Sequence, residues 1–318
     1  MKKRILAVLI ATALAVSVTG CAGNATSSSD STSASSVAES SDTSTQTSSD
    51  ASSEDESKNE NSQEESKDLE ANYTKYTLDG DLTQHMIDMS RLNEGNKVRL
   101  ANVIKKLKNG EEVTVGFIGG SITQGTSAGN DLCYAKLTAD WLQKTYSNAK
   151  INYVNAGIGA TGSYIGVHRV ENDLLSKKPD LVFVEFSVND TTENTERNKK
   201  SYDGLLRTIW KSSTNPAIIT IATTQEDGTS FQDQHAEIVK HYDLPMISYR
   251  NTILDTIKHG DIVWKDISDD NIHPNVPGHK IVSQLLQAYI SDVDKDVDNI
   301  SGSESDFTTP ATDAPIEN

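Results

Sequence analysis

Between residues 73 and 290, short apolar runs rich in β-branched residues alternate with longer stretches in which apolar positions recur every three or four residues. The short runs, at 113–118 (VTVGFI), 151–155 (INYVN), 181–186 (LVFVEF), 217–222 (AIITIA) and 245–248 (PMIS), predict five strands. The longer ones predict helices at 91–108, 131–146, 166–176, 200–212, 231–241, 251–258 and 277–291. Strands that are apolar throughout and alternate with helices imply an α/β fold whose parallel five-stranded sheet is covered on both faces. In such a sheet the ligand site lies at the carboxyl ends of the strands, so the residues that follow each strand are where chemistry is to be sought.

The ends of the chain follow other patterns. Lys2, Lys3 and Arg4 precede an apolar run over 5–18, too short for a membrane span of roughly 20 residues and suited to the core of a signal peptide. The run closes on Val18-Thr19-Gly20-Cys21, which resembles the lipobox of bacterial lipoproteins. That resemblance implies cleavage before Cys21, lipidation of its thiol and anchoring to a membrane of the bacterial cell envelope, on its extracytoplasmic side. Residues 22–70 are Ser, Thr, Asp and Glu with few aliphatic side chains; they cannot bury enough surface to offset the entropy of ordering and are expected to form an extended tether. Residues 292–318 have a similar composition and are expected to be a disordered acidic tail.

Charge sharpens this division. The 318 residues carry a formal charge of −17, which makes a polynucleotide-backbone binder the wrong starting point. The acidity sits at the ends: twelve Asp or Glu against two Lys over 22–70, and eight against one over 292–318. What remains, 71–291, is nearly neutral and long enough to bury one sizeable core. The only cysteines are Cys21 and Cys133, so neither a disulfide scaffold nor a cysteine zinc cluster is available. Cys133, flanked by apolar residues in a helical pattern, reads as a buried thiol.

Three strand ends carry chemistry. After the first stands Gly119-Gly120-Ser121, where a serine on a tight strand-to-helix turn would expose its hydroxyl at the sheet edge. The same three residues would serve equally as a helix N-cap, and the Lys-Ser/Thr of a P-loop is missing. The third strand ends in Ser187-Val188-Asn189-Asp190, whose carboxamide could face an oxyanion without a competing charge, although an Asn-Asp pair there is more often turn chemistry. Beyond the last strand comes Asp269-Asp270-Asn271-Ile272-His273, a histidine suited to taking a serine proton beside a carboxylate that could fix its tautomer. His85, His168, His235, His241 and His259 have no such setting, and His279 reads as fixing the start of the last helix. Trp264 suits either a sugar subsite or the core.

In order, GGSIT, NAGIGATGS (155–163), SVND and DNIH make the chain resemble the SGNH hydrolases, or GDSL esterase family, over roughly 95–291. The resemblance implies a three-layer α/β/α flavodoxin-like fold. It also implies Ser121 as nucleophile, His273 as general base and Asp270 as the residue that orients it; the family's Asp-x-x-His spacing selects Asp270 over Asp269. Oxyanion donors would be the N–H of Ser121, the side chain of Asn189 and a backbone N–H near Ala160 or Gly159. Ala160 falls where the family has glycine, and Ser187 where the third block commonly begins with glycine. No metal or organic cofactor is expected. The implied activity is that of a tethered serine esterase, acting on O-acetylated carbohydrate or, alternatively, on lipid or lysophospholipid esters. A solute-binding lipoprotein is the reading from another class, and it would need two lobes around a hinge.

Overall fold

The computed structural model describes residues 73–191 and 194–317. The signal segment 1–21 with Cys21, and the tether 22–70, lie outside the described residues. All five expected strands form: β2 (Glu112–Gly119), β3 (Lys150–Gly157), β4 (Leu181–Glu185), β5 (Ala217–Ala222) and β6 (Met246–Ser248). They pair in parallel.

A sixth strand corrects the five-stranded parallel expectation. β1 (Arg91–Asn93) pairs antiparallel with β6 at the sheet edge, giving the mixed order β1-β6-β5-β4-β2-β3. The three residues RLN leave too short a pattern to read, and they fall inside the predicted helix 91–108. There α1 (Gln84–Ser90), capped by the Thr83 side chain, precedes β1, and Gly95 turns the chain at φ +62 before α2 (Val98–Lys108) begins.

Alternation along the strands sorts the core into two layers. Val113, Val115, Phe117, Leu181 and Phe183 pack with side chains of α2, α4 (Tyr134–Thr145), α8 (Tyr249–Lys258), α9 (Trp264–Ile267) and α10 (Val276–Lys295). Ile118, Val182, Val184 and Ile218 pack instead with α5 (Ser163–Asp173), α6 (Thr195–Trp210) and α7 (Gln232–His241). The result is the expected three-layer α/β/α arrangement. Among the described residues no helix is long and apolar enough to cross a membrane.

The carboxyl-terminal segment also departs from expectation. α10 continues to Lys295, and residues 296–317 are not a solvated tail but pack along α6 and α7. Phe307 stacks on Trp210 at 4.5 Å and on Tyr242 at 3.9 Å between ring centroids. Asp203 accepts hydrogen bonds from the backbone and hydroxyl of Thr312, both at 2.7 Å, and Arg207 donates to the Phe307 carbonyl at 3.0 Å. Gly204 admits the chain so closely that a Cβ there would stand 1.8 Å from the Ile316 carbonyl oxygen. The few, unevenly spaced apolar side chains of this acidic stretch make no periodic signal; the groove that receives Phe307 and Ile316 supplies the order.

Candidate active site

β2 ends at Gly119, and after Gly120 the chain turns into a four-residue helix, α3 (Ser121–Gln124), that opens on the serine. The turn is tight because the Asn189 carboxamide lies over Gly120, where a Cβ would come within 2.0 Å of its oxygen. Two partners invisible in the sequence pattern hold it. Asn155, at the end of β3, donates its side-chain N–H to the Thr123 carbonyl at 2.8 Å, and Arg169 of α5 donates to the Gly119 carbonyl at 3.0 Å.

His273 reaches this turn from the loop before α10. Its Nε2 lies 2.9 Å from Ser121 Oγ, and its Nδ1 lies 2.7 Å from Asp270 Oδ2. With Nδ1–H donating to the carboxylate, Nε2 is left as acceptor for the serine hydroxyl. The other oxygen, Asp270 Oδ1, accepts from the backbone N–H groups of Ile272 and His273, each at 2.7 Å. Partial burial alone would raise the Asp270 pKa, but these bonds and the His273 side chain together hold it below the usual carboxylate range. The rival Asp269 faces Asn275 instead, at 3.4 Å. The loop is pinned from beneath: Trp264 Nε1 donates to the Asp270 carbonyl at 2.6 Å, and Ser268 Oγ donates to the carbonyls of Asp270 and His273. Trp264 is therefore largely buried under the site and is not an exposed platform.

The second block closes the other side. Ala160 holds φ 57, a left-handed backbone costing a non-glycine residue roughly 1–2 kcal/mol, and among the described residues its N–H has no acceptor. Gly159 is turned elsewhere: its N–H donates to Gln124 Oε1 at 2.9 Å, so of the two expected backbone donors only Ala160 remains available to an oxyanion. Asn189, whose side chain lies over Gly120, borders the same cavity as Ala160. This cavity of 330 Å³ is lined by Ala160, Gly162, Tyr164, Ile165, Asn189 and Arg197 among others. Such an arrangement can pass a proton from a serine hydroxyl to an imidazole while presenting donors to a developing negative charge.

Residues dismissed in the sequence support this edge. Asp190, buried beside Asn189, accepts from the Ser163 N–H at 2.8 Å and from Nε2 of the buried His235 at 2.9 Å, tying β4 to α5 and α7. No local pattern signals this pair, because 45 residues separate its members. Ser187, in place of the family's glycine, is not at the pocket floor: its hydroxyl donates to Glu185 Oε1 at 2.9 Å. Burial pushes the Glu185 carboxyl upward, although bonds from Thr223 and Ser187 partly offset it. His279, in the first turn of α10, is fully buried and accepts from the Tyr134 N–H at 3.1 Å, which joins the start of α10 to the start of α4. Cys133 is likewise buried.

Residues 117–281 match the model of the GDSL-like lipase/acylhydrolase family. No curated protein matches the chain. Among solved structures, a two-domain esterase active on acetylated mannans, co-crystallised with mannopentaose, is 38% identical with a TM-score of 0.66, over 71% of this chain and 60% of that one. A second crystal structure described as such an esterase gives 38% identity and a TM-score of 0.68, over 71% and 61%. The chain thus spans about 60% of the length of these relatives. An acetylxylan esterase from Geobacillus stearothermophilus is 20% identical with a TM-score of 0.48, over 56% of this chain and 94% of that one.

Proposed function

The chain belongs to the GDSL-like lipase/acylhydrolase family, and from that premise we propose that it is a serine esterase that removes O-acetyl groups from carbohydrate. The observation that carries the reading is the unbroken hydrogen-bond chain from Ser121 Oγ through His273 to Asp270. Ser121 attacks the ester carbonyl as His273 Nε2 takes its proton. The oxyanion is met by the N–H groups of Ser121 and Ala160 and by the Asn189 side chain. His273 then gives that proton to the sugar's ester oxygen as its bond to the acetyl carbon breaks, leaving acetyl on Ser121, and water, activated by the same imidazole, releases acetate and frees Ser121. Asp270, kept ionised, holds the imidazole in the tautomer this requires and steadies its charged form.

The substrate class rests on the 38% identical esterase active on acetylated mannans and on the polar loops flanking the site, TQGTSAGND at 123–131 and TTENTERNKK at 191–200. Such loops suit hydroxyl-rich ligands better than a long alkyl chain, which gains about 0.8 kcal/mol for each buried CH₂. Lipid attachment at Cys21 would hold the enzyme at the outer surface of a membrane, where polymers outside the cell are its natural substrates.

A second reading, a lipid or lysophospholipid esterase, draws on Ile158 and Ile165, which flank the second block and are 43% and 46% exposed. The solute-binding alternative loses ground, because the described residues build one sheet and not two lobes. Measuring kcat/KM across C2 to C10 esters, with acetate release from acetylated mannan and xylan, separates the two esterase readings. Carbohydrate deacetylation predicts a maximum at C2 and released acetate; a maximum at C8 or longer with no acetate would overturn it.

A further inference from the structure

Three side chains that the proposed reaction does not use converge at the end of α8. Asp255, in the last turn of α8, and His259, its C-cap, stand four residues apart, and His85 of α1 meets them from across the helix pair. One ligand atom from each lies within 4.8 Å of the other two. Asp255 Oδ2 is 2.6 Å from His85 Nε2 and 3.3 Å from His259 Nδ1, so two imidazoles close on one carboxylate oxygen. The site is sheltered: the side chains of His85, Asp255 and His259 are 3%, 13% and 18% exposed. Tyr73 holds both rings, stacking on His259 at 4.0 Å and meeting His85 edge-on at 5.3 Å.

We propose that His85, Asp255 and His259 bind a divalent transition-metal ion of the zinc type, with water as the fourth ligand. Two imidazole nitrogens and one carboxylate oxygen are the donor set such an ion takes, whereas calcium and magnesium ask for about six or more oxygens. Four-coordinate zinc with bonds of about 2.0–2.2 Å separates its ligand atoms by about 3.3–3.6 Å. The distance from Asp255 to His259 already falls there, and rotation of the His85 ring away from Asp255 would open the remaining space. The three residues belong to α1 and the end of α8, whereas Ser121 opens α3 and Asp270 and His273 lie in the loop before α10, so the ion occupies a different part of the fold from the proposed reaction. Its effect is on the fold: it clasps α1, and with it the start of the described chain, to α8. His85 lies outside the residues that match the family, so the clasp includes a part of the chain that the family's motifs do not describe.

The test uses the full chain without an affinity tag, stripped of metal and titrated with zinc chloride by calorimetry and with cobalt(II) chloride by visible absorption. One zinc per chain is expected, with the intense d–d bands of four-coordinate cobalt, and a rise in Tm of roughly 5 °C or more at about one hundred times Kd. His259→Gln, at a partly exposed position, should weaken binding by at least roughly tenfold, while His241→Ala, which removes an unrelated histidine, should leave it unchanged. Turnover of a C2 ester by His259→Gln should match the parent, which separates this site from the proposed reaction. Absence of saturable binding by the parent protein, or affinity undiminished in His259→Gln, would overturn the proposal.

Discussion

At Ser121 the proposed chemistry depends on one proton having a single place to go. Ser121→Ala or His273→Ala should lower kcat by at least ~10³-fold, and Asn189→Ala by roughly 10²-fold, the scale of one lost oxyanion donor. Steady-state kinetics on an acetyl ester checks all three, with circular dichroism to verify folding; parental turnover by folded Ser121→Ala would reject the mechanism. His279 offers a prediction about stability. Burial lowers its pKa from 6.5 to about 4, only partly opposed by its hydrogen bond to the Thr126 carbonyl, and His273 nearby adds to the lowering. The unfolded chain therefore takes up this proton first as the pH falls. The associated stability is fully present above about pH 6.5 and is lost progressively toward pH 4, by about 3 kcal/mol in all. Urea midpoints measured at pH 7.5 and 4.5 should show the loss, and His279→Gln should flatten that difference.

Among the elements, the segment 296–317 and α6 depend on each other. Phe307 fills the space between Trp210 and Tyr242 and is 7% exposed, so Phe307→Ala should cost about 3 kcal/mol of stability. It touches none of the reacting groups and should leave kcat within about twofold of the parent. Equilibrium unfolding in urea together with ester turnover tests both halves; a loss below about 1 kcal/mol would mean that the segment does not belong to the cooperative fold. The same elements mark how far local pattern reaches. β2 and β5 are legible because every second side chain enters a core layer and both faces are covered, whereas β1 is three residues with a single apolar side chain, Leu92, whose only strand property is its pairing with β6. Helix 91–108 was too long by its first turns because periodicity does not register the left-handed Gly95, whose position a Cβ would bring within 2.2 Å of Pro245 N.

For the whole molecule, the contrast is between the nearly neutral residues 71–291 and the acidic, serine-rich 22–70. A lipidated Cys21 followed by a self-repelling tether would let the esterase stand off its membrane and reach insoluble polymers. Cys21→Ala should release the protein from the membrane fraction or leave its precursor uncleaved, without altering the turnover of soluble esters. Fractionation and immunoblotting of cells carrying the variant check this; membrane retention unchanged after efficient signal cleavage would reject lipid anchoring at this residue.

Local sequence determined whatever depends on neighbours: the apolar runs that become strands, the glycines that tighten the turn before Ser121, and the spacing that lets Asp270 reach His273 three residues later. The order of the four blocks was enough to indicate the family. Tertiary structure alone decided which distant groups meet. Ser121 and His273 are 152 residues apart and are joined because β2 delivers Ser121 to the carboxyl edge of the sheet and the loop before α10 folds against that turn. The burial of Asp190 against His235, the engagement of Gly159 by Gln124, the gathering of His85, Asp255 and His259, and the docking of the acidic segment 296–317 leave no periodic trace. The reason is physical: periodicity records which face of an element is dry, while the partner across that face is chosen by packing between elements remote in the chain.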